Sequence, residues 1–332
     1  MKTMANRKPQ VRTLGSESDA GLLTALADRA VIALGGKDAR AFLQRILTQD
    51  MAQVVPGRAV PAALLTPQGK LQHLLLLTAD DDGRILVETS KTEVADLLRL
   101  LTLYRLRADV TFTPMDQATV FAADSTAMAR IGPCTDGKEA IVVAEDARAP
   151  DRLMRVYALM PEQHEQVSGL PHTAEGLETY ARLRAEAGIA EGPRELPPGR
   201  LFALEANLDC IGAVSFSKGC YVGQEVTTRS YRRGRVKKRL LPFFVDSQSG
   251  TPAMGDKLAR AGDEAVVGEV VAAARHGLGW ALCRIEAIAD LVGEGRLACM
   301  AQGVRVMLHL PSRLRPILEA EAAGGNQGEE RR

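Results

Sequence analysis

The order of strand-like and helix-like runs between residues 59 and 107 limits the fold more than any other feature of the chain. Ala59–Leu65 is an apolar run that stops at Thr66-Pro67-Gln68-Gly69-Lys70, a string of turn residues. Leu71–Thr78 follows, then the turn Asp80-Asp81-Asp82-Gly83, then Ile85–Glu88. Three strand-like runs joined by short turns make an antiparallel meander. Val94, Leu97, Leu98, Leu101 and Tyr104 then recur at spacings of three and four, a helical stripe reaching about Arg107, with Ser90 and Glu93 as a capping box before it. Strands and helices therefore mix without strict βαβα alternation. That pattern excludes a doubly wound parallel sheet and predicts an α+β fold.

The same reading extends in both directions. Val31–Leu34 is a short apolar run ending at Gly35-Gly36, and Asp38 is the expected N-cap of a helix carrying Ala39, Phe42, Leu43, Ile46 and Leu47. Val110–Thr113 reads as a strand stopped by Pro114. Ala118–Ala123, Ala140–Ala144 and Leu153–Leu159 read as strands of a second α+β unit, and Thr179–Glu186 as a helix ending at Gly188. Pro193, Pro197, Pro198 and Gly199 make an irregular connection. Beyond about Leu240, short apolar runs (Leu241–Val245, Ala265–Ala274, Leu278–Ile285, Arg305–Leu310) alternate with glycine and charge, the texture of a small all-β barrel or sandwich. Trp280 and the Gly277–Gly279 turn read as packing within it. The expected organisation is a flexible start over 1–27, a first α+β domain over 28–115, a second α+β region over 116–235 interleaved with the first, a C-terminal β-barrel over 236–318 and a disordered tail over 319–332. The tail is rich in Ala, Gly and Glu without apolar periodicity. The start carries Lys2, Arg7, Lys8 and Arg12 but lacks the apolar core of a secretory signal.

Charge and cysteine usage exclude several classes. Lys+Arg number 42 against 41 Asp+Glu, a net charge of +1, so no global field holds a polyanion. No apolar run approaches the roughly 18 residues of a membrane span, so a soluble chain is expected. The five cysteines (Cys134, Cys210, Cys220, Cys283, Cys299) are odd in number and form no C-x-x-C pair. Neither a disulfide framework nor a self-contained metal or iron–sulfur site is expected, and the thiols fit a reducing, cytoplasmic setting.

One stretch carries chemistry: Ser217-Lys218-Gly219-Cys220-Tyr221-Val222-Gly223-Gln224-Glu225. Glycine permits positive φ and close approach to the backbone, and a cysteine between Lys218 and Tyr221 is a candidate reactive thiolate. Composition alone equally allows a small buried residue in a tight turn. Lys218 through Glu225 match the K-G-C-Y-x-G-Q-E signature, and on this octapeptide the chain resembles the YgfZ family. These are folate-binding proteins tied to iron–sulfur cluster assembly and tRNA modification, related to the glycine-cleavage T-protein, an aminomethyltransferase. Leu204-Glu205-Ala206-Asn207-Leu208-Asp209 and Val214-Ser215-Phe216 look like the approach to the signature, and Tyr231-Arg232-Arg233-Gly234 with Lys238-Arg239-Leu240 like its exit. Arg184-Ala185-Glu186-Ala187-Gly188 is similar to the R-x-E-A-G stretch of the T-protein. Phe42-Leu43-Gln44, Thr48-Gln49-Asp50 and Gly69-Lys70 fit the amino-terminal pattern, so the resemblance spans roughly residues 28–315.

The resemblance implies two intertwined α+β domains and a C-terminal β-barrel, a three-domain ring around a central channel that holds tetrahydrofolate in relatives. It implies Glu186 as the carboxylate pairing with the pterin, a role suited to a group that accepts two parallel N–H bonds. Arg184 and the signature residues Lys218, Gly219, Tyr221, Gly223, Gln224 and Glu225 complete the implied cofactor-binding set, with Cys220 as the functional thiol. T-protein relatives carry paired acids after a Gly-Gly at the position of Gly69-Lys70. This chain reads Leu71-Gln72-His73-Leu74 there, so aminomethyltransferase activity is expected to be absent and His73 to be structural. A [2Fe–2S] centre needs four ligands. The expectation is therefore a transient cluster shared between Cys220 and a partner, an A-type iron–sulfur carrier as in mitochondrial relatives. The alternative is a redox thiol that forms a mixed disulfide. The implied function is a folate-binding accessory factor for assembly or repair of iron–sulfur client proteins, indirectly supporting tRNA modification, in the cytoplasm or, in a eukaryote, the mitochondrial matrix. The competing readings are a folate-dependent one-carbon transferase and an RNA-binding module. The basic run Arg229, Arg232, Arg233, Arg235, Lys237, Lys238 and Arg239 reads as a solvated strand or linker face, or as a surface for a folate polyglutamate tail, an acidic partner or RNA phosphate. Direct nucleic-acid binding is not expected.

Overall fold

The computed structural model describes residues 21–131, 141–169, 175–234, 236–245, 250–275, 277–288, 291, 293 and 295–325. Residues 1–20, Cys134 and Arg235 lie outside them. The meander is present as β3 (Arg58–Leu65), β4 (Leu71–Ala79) and β5 (Ile85–Ser90), all antiparallel. On its far edge β5 pairs with β2 (Arg29–Gly35), and β2 with β6 (Thr111–Pro114). A second antiparallel group runs β1 (Leu23–Ala25), β7 (Thr119–Ala123), β9 (Met154–Ala158) and β8 (Val142–Asp146). The two groups join into one nine-stranded sheet where β3 and β8 run parallel through Arg58↔Glu145 and Ala59↔Asp146. Because β1 opens the described chain yet pairs with β7 of the second group, the two α+β halves are intertwined. Leu23–Ala25, read in the flexible start, is thus a paired strand.

Side-chain alternation explains how the halves pack. In β3, Val60, Ala62 and Leu64 turn to one face with α1 (Ala39–Ile46) and α2 (Val94–Arg105), while Ala59, Ala63 and Leu65 turn to the other. In the second group Phe121, Ala123, Val156 and Ala158 form an outer cluster with Ala127 of helix α3 (Ser125–Ile131) and Val167 of α4 (Pro161–Ser168). Val120, Ala122 and Tyr157 point to the shared core instead. One central core therefore lies between the two half-sheets and the segment that includes α5 (Gly176–Glu186) and α6 (Gly192–Glu195).

The last third closes into a six-stranded antiparallel barrel. Its order is β10 (Lys238–Val245), β13 (Leu278–Arg284), β12 (Val266–Arg275), β11 (Lys257–Arg260), β14 (Arg296–Ala301) and β15 (Val304–His309), with β15 returning to β10. Leu241, Phe243, Ala281 and Cys283 fill it, and the alternate positions Leu240 and Trp280 join the central core. Trp280 therefore packs on the outside of the barrel, where it docks the barrel onto the rest. Three local expectations are corrected. The Asp38 side chain does not cap α1 but accepts from the Asp109 N–H. Ser90 and Glu93 form no capping box, because Glu93 is drawn to His73. The tail expected to be disordered over 319–332 begins inside a helix, Arg315–Gly325, with Leu318 buried against the barrel, and its residues 326–332 lie outside the described residues.

Candidate functional site

The signature segment alternates between inward anchors and outward groups. Lys218 is buried, and its Nζ donates to the carbonyls of Gln44 (2.7 Å), Leu47 (2.7 Å) and Gln49 (2.8 Å). Gln44 and Leu47 sit at the end of α1, where carbonyls lack intrahelical partners. An ammonium has three donors, and all three are used here. Burial draws its pKa down to about 8 against the pull of Asp50, and the charge lies 5.4 Å from the centroid of the Tyr221 ring. Tyr221 is itself buried, its hydroxyl beside Thr228, and burial pushes it up to about 12. Between these anchors Gly219 and Cys220 are exposed.

Gly223 ends the loop with φ +80° and serves as the N-cap of α7 (Gln224–Arg232). A Cβ there would lie 2.6 Å from the Thr66 carbonyl oxygen, inside the β3–β4 turn. On that turn Gly69, with φ +79°, faces the Val226 Cβ at 3.0 Å from where its own Cβ would stand. The two glycines let turn and signature loop lie back to back. Upstream, Thr48 Oγ1 donates to the Ala213 carbonyl (2.6 Å), Gln49 Nε2 to that of Gly212 (2.7 Å), and the Ser215 N–H to that of Thr48 (2.9 Å). Thr48-Gln49 thus carries the approach to the loop, a role that no local signal revealed. Gln224 Nε2 reaches the Gly219 carbonyl at 3.5 Å, and exposed Glu225 pairs with Arg229.

The other implied contacts are elsewhere. Arg184 forks onto Glu195 at 2.8 and 2.9 Å and donates to the Ile189 carbonyl at 2.9 Å. Glu186 accepts from Arg152 at 3.0 Å, in a pair about half to one-third exposed. Among the described residues no hydrogen bond or ion pair joins Arg184 or Glu186 to residues 217–225. The implied set therefore divides into a thiol-bearing loop beside α1 and the β3–β4 turn, and a carboxylate at the end of α5.

The central core holds a charge network with no local signature in the chain. Glu88 binds Arg29 (2.7 Å), Arg155 (3.2 Å) and the Tyr157 hydroxyl (3.0 Å). Asp146 binds Arg148 at 2.8 Å, and Glu191 binds Arg148 and Arg155 at 2.8 Å each and the Tyr180 hydroxyl at 2.8 Å. Burial alone would raise both acids. The arginines reverse this, holding Asp146 below and Glu191 well below the usual carboxylate range.

His73 is buried on the α2 face of β4. Its Nδ1 lies 3.2 Å from Glu93 and its Nε2 3.0 Å from Asp96. The stretch Leu71-Gln72-His73-Leu74 lacks an acid in sequence, but folding brings two to it, each held by the imidazole. Cys283 and Cys299 are buried in the barrel, and Cys210 is half-buried beside Asp209 and Arg239. Among the described residues no group of three or more His, Cys, Asp or Glu side chains is placed to hold a metal ion. No described helix is long and apolar enough to cross a membrane.

Comparison with known proteins adds independent findings. Residues 237–316 match the family model of the CAF17 C-terminal β-barrel domain. The chain is 30% identical over 312 residues to the mitochondrial iron–sulfur cluster assembly factor IBA57 homolog of Coccidioides immitis, covering 81% of this chain and 73% of that protein. Against the homolog of Pyricularia oryzae it is 31% identical, covering 83% and 75%. Against human mitochondrial IBA57 it is 33% identical, covering 67% and 66%. Among solved structures, the glycine cleavage system aminomethyltransferase T from Bartonella henselae superposes with a TM-score of 0.66 over 90% of this chain and 88% of that one, at 14% identity, a likeness of fold alone. The curated relatives are named IBA57 rather than YgfZ, and their names are mitochondrial where the thiol content had suggested the cytoplasm.

Proposed function

The chain belongs to the family of the iron–sulfur cluster assembly factor IBA57, and from that premise we propose that it assembles iron–sulfur proteins by offering Cys220 as one ligand to a cluster shared with a carrier protein. The observation that carries this reading is the exposure of Cys220 between two buried anchors, Lys218 and Tyr221. An exposed thiol on a fixed loop is open to a partner, and among the described residues no group of three or more His, Cys, Asp or Glu side chains is placed to hold a metal with it. A [2Fe–2S] cluster takes four thiolates, so the remaining ligands come from the partner. The cluster is cargo here: Cys220 loses its thiol proton as the thiolate bonds iron, and gives the cluster up when a client's thiolate displaces it. We infer that the carrier is of the A type and that any effect on tRNA modification passes through an iron–sulfur methylthiotransferase client.

Most of the residues implied for folate are already engaged within the chain. Lys218 has spent its donors on carbonyls, Arg184 is forked onto Glu195, Tyr221 is buried and Gly223 is closed against Thr66. Glu186 is partly exposed and paired with Arg152. No step of the proposal therefore passes through folate. Saturable tetrahydrofolate binding that is lost in Glu186→Gln would overturn that conclusion.

The main test is anaerobic reconstitution with an A-type carrier, wild type beside Cys220→Ser. Visible cluster absorption should co-elute with both chains for the wild type and vanish from the complex in the variant. An unchanged cluster complex in Cys220→Ser would remove the thiol from the mechanism. A carrier trapped as a mixed disulfide with Cys220, with no cluster, would favour the redox reading.

A further inference from the structure

The helix that follows the thiol has an outer face that neither the loop's architecture nor the shared cluster explains. α7 begins four residues after Cys220 and presents a shallow groove lined by Gln224, Glu225, Thr228, Arg229, Arg232 and Arg233. Arg229, Arg232 and Arg233 of this lining are exposed, as are Lys237 and Lys238 a few residues further along the chain, and Glu225, the acid in the lining, is paired with Arg229. Cations in the last turn offset the helix dipole, which accounts for Arg229 and Arg232. It does not account for Arg233, Lys237 and Lys238, which lie beyond the helix. Arg239, by contrast, is buried against Asp209 and the Leu204 carbonyl, so it leaves the face.

We propose that this face of α7 is the docking surface for an acidic face of the iron–sulfur carrier, placing the carrier's cluster-binding cysteines at Cys220. The proposal rests on the reading of Cys220 given above. Three features select an acidic protein. A cluster ligated by thiolates carries net negative charge, and residues flanking it on the carrier meet the cations of α7 when it docks. A helix of nine residues is about 13 Å long, so thiol and cations fit within one footprint of about 800 Å² per partner. A second copy of this chain would set like charges against each other.

The face is also poorly suited to RNA. The aromatic ring on it, Tyr231, is stacked on Phe216 at a 3.7 Å centroid distance and 14°, so one of its faces is already occupied and a base would find only the other. The chain's net charge of +1 gives no wider field for a phosphate backbone.

The test titrates the full chain with the [2Fe–2S]-loaded A-type carrier at about 50 and about 200 mM salt. Wild-type affinity should fall with salt. The double reversal R232E/R233E should weaken binding at least tenfold at low salt and flatten the salt dependence, while R232K/R233K should bind as wild type. Both positions are exposed, so circular dichroism should show all variants folded. A reversal variant that binds as tightly as wild type overturns this inference and leaves the role of Cys220 standing. A wild-type chain that does not bind the carrier at all overturns both. Salt-sensitive tRNA binding that disappears in R232E/R233E while carrier binding persists would overturn it in favour of a nucleic acid.

Discussion

A lysine next to a cysteine reads, in sequence, as a charge that activates the thiol. Lys218 does something else. Its ammonium is turned inward onto three carbonyls, tying the signature loop to the end of α1 across more than 160 residues of chain. The loop's rigidity, and with it the presentation of Cys220, depends on that tie. Lys218→Met keeps the side-chain length but leaves the carbonyls without their donor. Losing charged hydrogen bonds of this kind costs about 3 kcal/mol. The expected outcome is a lower melting temperature together with faster labelling of Cys220 by a thiol reagent. An unchanged melting temperature and labelling rate would show that the tie does not hold the loop. Cys220 itself was legible from its motif. The direction of Lys218 was not, because its acceptors are supplied by an element far away in the chain.

At the scale of elements, periodicity gave strands and long helices well and short or capped elements badly. The meander and the helices α1 and α2 are where apolar runs and three-four spacing put them, since the strands are buried on both faces and each helix buries one apolar stripe. The basic run from Arg229 to Arg239 reads in sequence as a strand or linker face, yet Arg229 and Arg232 belong to α7. That helix is polar almost all round, with Thr227 as its buried residue, and it is held by Gly223 against the β3–β4 turn and by Tyr231 on Phe216 rather than by an apolar stripe. The expected capping box at Ser90 fails for a related reason. Glu93 has a local option in the helix start and a distant one in His73, and burial of the imidazole between two carboxylates decides for the second. Local pattern cannot rank a cap against a tertiary partner.

At the scale of the molecule, the centre is held together by charge as well as by apolar packing. Arg29, Arg148, Arg155 and Arg184 face Glu88, Asp146, Glu191 and Glu195, and these residues come from both half-sheets, the turn after β8, α5 and the segment that follows it. Such a network adds little stability over an apolar core, but breaking one side of it leaves buried charge and costs about 3–5 kcal/mol. Its pH dependence follows from the depressed acids. Asp146 and Glu191 titrate lower in the folded chain than the roughly 4 of an unfolded carboxylate. Their contribution is therefore complete above that value and is lost as pH falls through the folded values. The melting temperature should hold between about pH 7 and 5 and drop below about pH 4. Thermal scans across that range check this, and equal stability at about pH 3 and pH 7 would contradict it.

The α+β class, the closing barrel and the thiol in its glycine-flanked loop were all legible along the chain. Each is written in neighbouring residues: short apolar runs bounded by turns for strands, three-four spacing for helices, and one contiguous octapeptide for the loop. Folding alone settled that Arg184 and Lys218 serve the chain itself, that Glu186 pairs with Arg152, that two acids reach His73, and that the two halves meet around buried ion pairs. The partners in these contacts are separated by 11 residues (Arg184–Glu195), 20 (His73–Glu93), 59 (Arg29–Glu88) and up to 174 (Lys218–Gln44). The energy of a buried charge depends on which opposite charge lies within a few ångströms, and that distance is set by folding, not by order along the chain.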